Sequence, residues 1–128
     1  TRFYYKTGDK VLEMADENVR STGYDNALVA LIHAEKEDED DSQGVEKKLV
    51  KNLKWAAKKN NTNVVILHSF AHLSDSKAAP EFTKKLFNST EKRMKNAEYE
   101  TFQTPFGYFL DLDLKAPGYS MARVFKNF

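Results

Sequence analysis

The spacing of apolar residues changes along this chain, and each change marks a predicted element. Asn26-Ala-Leu-Val-Ala-Leu-Ile-His-Ala34 is almost unbroken apolar sequence, the pattern of a strand covered on both faces. From Ser42 to Asn60, Val45, Leu49, Leu53 and Ala56 recur at spacings of four, four and three. That rhythm predicts a helix, with Asp41 or Ser42 placed to cap its free N–H groups. Asn60-Asn-Thr-Asn63 stops it, and Val64 to Leu67 predicts the next strand. Strand, helix and strand make a β-α-β unit, whose crossover normally leaves its strands parallel and adjacent. Pro80 suits a first helical turn, and Glu81 to Ala97 carries Phe82, Leu86, Thr90 and Met94 on one stripe.

Two alternating stretches follow, Tyr99 to Gln103 and Gly107 to Leu114. In the second, Tyr108, Leu110, Leu112 and Leu114 share one face, and Phe109, Asp111 and Asp113 the other. At the start, Thr1 to Tyr5 reads as the tail of a strand and Lys6-Thr-Gly-Asp9 as the turn ending it. Lys10 to Asn18 fits a short helix with Val11, Met14 and Ala15 on one side, broken by Ser21-Thr-Gly23. At the other end Pro117-Gly118 predicts a turn, and Ser120 to Phe128 a short helix turning Met121, Val124, Phe125 and Phe128 inward. The expected fold class is α/β, a compact single-domain sandwich of a β-sheet with helices over residues 1–128.

Composition narrows the possibilities. A chain of 128 residues, 41% apolar, supports one packed core. The absence of cysteine excludes disulfides, thiolate catalysis and the usual structural zinc sites. No apolar run is long enough for a membrane span, and no basic start leads into an apolar stretch, so a soluble, cytoplasmic protein is expected. With no initiator methionine and an opening Phe3-Tyr-Tyr5 run, the first strand is expected to be missing or truncated. Net charge is only +1, yet 20 basic residues face 19 acidic ones. Many of the acids sit in Glu35-Lys-Glu-Asp-Glu-Asp-Asp41, read as a solvated loop. Lys47, Lys51, Lys54 and Lys58 repeat at helical spacing, which fits either a solvated face or a cationic rail for an RNA backbone.

Candidate chemistry gathers where two apolar runs stop abruptly in small and polar residues: Asn63-Val-Val-Ile-Leu-His-Ser-Phe-Ala-His-Leu-Ser74 and Thr104-Pro-Phe-Gly-Tyr-Phe109. Each delivers backbone and a few side chains to the rim of a sheet, and the two rims are expected to wall one pocket. His33 and His68 lie inside strand runs and read as hydrogen-bonded core residues, whereas His72 follows a strand end and can face a ligand. His68 and His72 straddle a strand-to-loop junction and lack a zinc-hydrolase frame, so no metal is expected. Asp111 and Asp113 read as the wet side of a strand. Ser69, Ser74 and Ser76 have no histidine–acid pairing assignable from spacing, which leaves a serine nucleophile unsupported. In Pro105-Phe-Gly107, proline fixes one dihedral and glycine permits close backbone approach, so the peptide groups can bind a ligand themselves.

Phe70-Ala-His-Leu-Ser74 and Pro105-Phe-Gly-Tyr108 together resemble the N-terminal editing domain of archaeal threonyl-tRNA synthetases, a relative of the D-aminoacyl-tRNA deacylases. The similarity runs over essentially the whole chain and implies a D-aminoacyl-tRNA deacylase-like fold. It implies hydrolysis of serine wrongly attached to threonine tRNA, here in trans, with no cofactor. One missing methyl gives a binding pocket only about 1–3 kcal/mol of discrimination, which is why such a second hydrolytic site exists. By the resemblance, His72 is the substrate-binding histidine, in a pocket of Phe70, Ala71, Pro105, Phe106, Gly107, Tyr108 and Phe109. Phe109 stands where the family has a tyrosine, Leu110 where it has a functional lysine, and Arg123 where it has a glutamate. Arg123 is accordingly the candidate for the displaced cation, beside His72 as catalytic residue. Expected partners are the aminoacylated tRNA end, a second copy in a homodimer, and a threonyl-tRNA synthetase. The rival expectation is a non-catalytic module holding an aminoacyl-tRNA end, a nucleotide or an amino acid; a third is a dimer-forming regulatory domain.

Overall fold

The computed structural model describes residues 2–10, 22–70 and 76–127. Three layers result: two helices, a parallel sheet, and an antiparallel sheet. The central layer is ordered β3(Leu28–Ile32), β4(Val64–Ser69), β5(Glu100–Gln103), with both pairings parallel. Helices α1(Ser42–Lys59) and α2(Pro80–Asn96) make the two crossovers. The outer sheet is ordered β2(Thr22–Tyr24), β1(Arg2–Lys10), β6(Tyr108–Lys115), all antiparallel.

Alternation along β4 ties the layers together. Val65 and Leu67 face the helices and join Leu49, Leu53, Ala57, Leu86, Phe87 and Met94 in the larger core. Ile66 faces the other way, where it meets Phe3 of β1 and Ala27, with half-buried Val29, Val64 and Leu110 around them. The helix ends are built as their sequences predict. Asp41 accepts from the Gly44 N–H at 3.2 Å as the N-cap of α1, and Pro80 opens α2. Asn60 closes α1, and Asn61 follows at φ 55°, a left-handed position that asparagine tolerates.

Several expectations need correction. Lys6 to Asp9 does not end a strand: β1 continues to Lys10, pairing with Tyr108, and a register shift between Thr7 and Lys10 absorbs the small residues. Thr22 and Gly23 form part of β2, pairing with Tyr5 and Tyr4 of β1; the expected helix beyond Lys10 and its end at Ser21 lie outside the described residues. The run 26–34 is covered fully on neither face: Leu28, Ala30 and Ile32 pack half-buried on the helix side and Val29 on the other. As an edge strand, β3 leaves Leu31 41% exposed. The acidic block is a 3-10 helix, Lys36–Asp41, rather than a loop, because its own carboxylates cap it: Asp38 accepts from the Glu35 N–H at 2.8 Å.

Leu112 and Leu114 are exposed, although alternation put them on an inward face. They belong to the edge strand β6, and the antiparallel sheet meets the parallel one around Phe3 and Leu110 instead. Among the described residues no terminal helix forms; a 3-10 turn, Ser120–Ala122, takes its place, and Val124 and Phe125 face solvent. Short chain that lacks a continuing apolar stripe gains too little packing to offset helix nucleation.

Candidate functional site

The site is built at the C-terminal ends of the parallel strands, where open α/β sheets characteristically bind ligands. His68 alternates with Ile66 and so points away from the helices. Its Nδ1 lies 2.8 Å from the hydroxyl of Thr104, and both residues are buried. Thr104 also donates its N–H to the Leu67 carbonyl at 3.0 Å. One residue therefore fastens the end of β5 to the end of β4 twice. Burial lowers the His68 pKa from 6.5 to about 4, because desolvation penalises the imidazolium. At neutral pH His68 is thus an uncharged hydrogen-bonding link and supplies no cation.

Beyond Thr104 the chain turns through Pro105 and buried Phe106 to Gly107, at φ 90°. Only glycine takes that backbone conformation without strain. From α2, Lys84 reaches the same turn: its Nζ lies 5.7 Å from the Phe106 ring centroid and donates to Gln103 Oε1 at 3.2 Å. On the β4 side, Phe70 donates its N–H to the Ile32 carbonyl at 2.8 Å, and its ring lies 6.3 Å from that of His68. The described chain resumes at Ser76, whose carbonyl accepts from His33 Nε2 at 2.7 Å; Ala78 then donates to the Ala34 carbonyl at 3.0 Å. Both ends of the intervening segment are consequently held at the same end of the parallel sheet.

Of the sequence-predicted site residues, Phe70 follows β4 and Pro105, Phe106 and Gly107 follow Thr104 at the same end of the parallel sheet. Ala71 and His72 lie outside the described residues, as do the side chains of Tyr108 and Phe109, whose backbone belongs to β6. Arg123 is placed elsewhere. It follows the 3-10 turn in extended conformation, and the neighbouring Met121 carbonyl accepts from Asn60 Nδ2 at 2.9 Å. Asn60 closes α1 at the end of the sheet where β4 begins, opposite the Thr104–Gly107 turn. Leu110 is half-buried against the Phe3–Ile66 cluster. Lys84 was missed by sequence reasoning, and Thr104 lay in the expected rim without a role assigned to it. Thr104 was legible as the polar residue ending a strand before Pro105, whereas Lys84 is one of many helix lysines and carries no signal of its own.

Phe70 and buried Phe106 are apolar residues at this end of the sheet, and the Thr104 hydroxyl is committed to His68. Among the described residues, no group of three or more histidines or carboxylates could hold a metal ion, and no helix is long and apolar enough to cross a membrane.

The sequence model of the archaea-specific editing domain of threonyl-tRNA synthetase matches residues 1–128. The chain belongs to that family. It is 28% identical over 123 residues to a threonine-tRNA ligase of Methanosphaera stadtmanae, a match covering 96% of this chain and 20% of the ligase. The corresponding ligase of Thermococcus sibiricus is 29% identical, covering 94% and 20%, and that of Methanothrix thermoacetophila 28% identical, covering 98% and 20%. The chain thus spans about a fifth of the length of these relatives. Membership in the editing-domain family sets the class of function, aminoacyl-tRNA editing in translation. It also confirms the family assigned from the Phe70–Ser74 and Pro105–Tyr108 motifs.

Proposed function

We propose that this editing domain hydrolyses the ester of threonine tRNA wrongly carrying serine, and that it does so in trans, on tRNA already released by a synthetase. The observation that carries the reading is the double attachment of Thr104 to β4, through the His68 ring and the Leu67 carbonyl. It sets the glycine turn beside the strand from which the Phe70–Ser74 motif departs. In this reading Phe70 and Phe106 bound the amino acid, His72 binds the substrate, and the Gly107 turn offers backbone to the ester. A carbonyl under attack develops negative charge, and a correctly placed donor or cation there is worth about 10²–10³ in rate. Leu110 cannot supply it. Lys84, beside the turn, takes that role; Arg123, anchored near Asn60, does not contact the ester.

The test is deacylation by the purified protein of threonine tRNA charged beforehand with serine or with threonine. Serine is expected to be released the faster. His72→Ala should abolish release, Lys84→Met should lower kcat by about 10²-fold, and Arg123→Ala should leave it unchanged. Saturable binding of the aminoacylated end with no turnover would overturn the hydrolytic reading in favour of a binding module. One observation favours that second reading: Leu110, where the resemblance implies a functional lysine, is packed into a core cluster rather than offered to a substrate.

A further inference from the structure

Away from that site, α1 and α2 together enclose an open groove of about 700 Å³ on the outer face of the molecule. Lys47, Lys51, Lys54, Lys58, Trp55 and Arg93 line it. The four lysines follow each other at helical spacing along about 16 Å of α1. Like charges so placed repel one another, and no compensating acid is provided: among the described residues none of the four joins an ion pair. Other cations of the same two helices are paired, Lys95 with Glu91 at 2.9 Å and, within the groove, Arg93 with Glu46 at 3.1 Å. Glu46 therefore offsets Arg93, and the uncompensated charge of the groove is that of the lysine stripe. Helix α1 as a whole carries six lysines and one glutamate. The acids that could have balanced them are gathered in Lys36–Asp41, where several are committed to backbone: Asp38 to Glu35, Glu39 to Ala79, and Asp41 to Gly44.

We propose that this groove is a second RNA contact, which takes the sugar-phosphate backbone of a base-paired stem while the ester is handled at the strand ends. Four evenly spaced ammonium groups match a line of phosphates rather than a single anion. Lysines act as point charges, so the surface grips backbone without reading sequence. Trp55, 37% exposed and approached by Lys126 Nζ at 5.0 Å from its ring centroid, adds an aromatic face to the groove. The inference rests on the editing reading only for the identity of the RNA, the acceptor stem of a tRNA.

Trp55 is the single tryptophan of the chain, so its fluorescence reports occupancy of the groove directly. The full chain is titrated with an acceptor-stem RNA hairpin between about 50 and 200 mM salt, with poly-glutamate and inorganic phosphate as competitors. The hairpin is expected to change Trp55 emission, with log affinity falling against log salt at a slope near −3 to −4, as about four neutralised phosphates require. Lys51→Ala with Lys54→Ala should weaken hairpin binding about tenfold or more and reduce the slope by about 2. The same variant should hydrolyse a 3′-seryl adenosine, which lacks the stem, at the parent rate, while KM for whole tRNA rises. Unchanged affinity and slope in the double variant, a silent Trp55, or poly-glutamate competing as well as RNA would each overturn the proposal. If the hydrolytic reading fails instead, groove-dependent hairpin binding persists without turnover; if only the groove fails, turnover persists and KM does not move.

Discussion

The two faces of β4 are made of the same kind of residue in strict alternation and yet serve different ends. Toward the helices, Val65 and Leu67 close a dry core with Leu53, Leu86, Phe87 and Met94. Toward the antiparallel sheet, Val64 and Ile66 begin as packing, but the row finishes at His68, where the next neighbour is the Thr104 hydroxyl. The helix face holds the fold, and the other face ends in the polar His68–Thr104 link beside the proposed site. Truncation on the two faces should expose the difference. Leu67→Ala is expected to lose about 3–5 kcal/mol, in the upper part of the range for buried leucine, because its helix-side neighbours are rigidly packed. Ile66→Ala should lose nearer 2 kcal/mol, since half-buried Val29, Val64 and Leu110 can close over the gap. Chemical denaturation of both variants checks this; equal losses would mean the two faces are equally confined.

Sequence alone revealed the helix face well, because both partners carry the signal. The Leu49–Leu53 stripe of α1, the Leu86–Met94 stripe of α2 and the apolar run of β4 each announce their period, and parallel pairing follows from the crossover. The other face was legible only in part. Alternation at Leu110, Leu112 and Leu114 states that one side is apolar but not whether a second layer reaches that far, and the packing stops at Leu110. Likewise Met121, Val124 and Phe125 fit a helical stripe without any partner stripe to receive them. At the site, the two motifs were visible as motifs. What joins them, the His68 to Thr104 contact across 36 positions, depends on β5 lying beside β4, which no local pattern encodes.

The polar end of that face should make stability respond to acid. His68 is held neutral down to about pH 4 in the folded protein, against 6.5 for an unperturbed histidine. In the unfolded chain it gains its proton as pH falls through 6.5, whereas the folded protein does not until about 4. Acid thus favours the unfolded state across that window: the contribution is complete above pH 6.5 and is lost progressively toward pH 4. The full effect is on the order of 3 kcal/mol. Denaturation midpoints at pH 7.5 and 4.5 should therefore differ less in His68→Asn than in the parent, the carboxylates being common to both. An unaltered pH difference would show that His68 is open to solvent and not part of a closed polar link.

Gly107 tests how tightly the turn beyond Thr104 is held. Its φ of 90° lies where a Cβ is strained, so Gly107→Ala should cost about 1–2 kcal/mol. Under the proposed function, the rate of seryl ester hydrolysis should fall by more than the lost stability explains, because the turn is displaced while β4 is not. A matching loss in Leu67→Ala, corrected for the unfolded fraction, would erase the distinction between structural and functional faces.

The smallest expected effect lies on the helix face, and it has the opposite sign. Thr90 sits on the inward stripe of α2, fully buried, and its Oγ1 has no hydrogen-bond partner among the described residues. Leaving a buried hydroxyl unpaired forfeits its hydration, at about 1–3 kcal/mol, whereas removing the group removes the penalty. Valine keeps the branched shape and replaces the hydroxyl with a methyl, so Thr90→Val is expected to stabilise by roughly 1 kcal/mol. Thermal unfolding of the two proteins side by side measures it. A higher Tm with unaltered ester hydrolysis would mean that the helix face is dry packing through and through. A lower Tm would mean that Thr90 is satisfied inside the core, and that the polar chemistry of β4 is not confined to its His68 side.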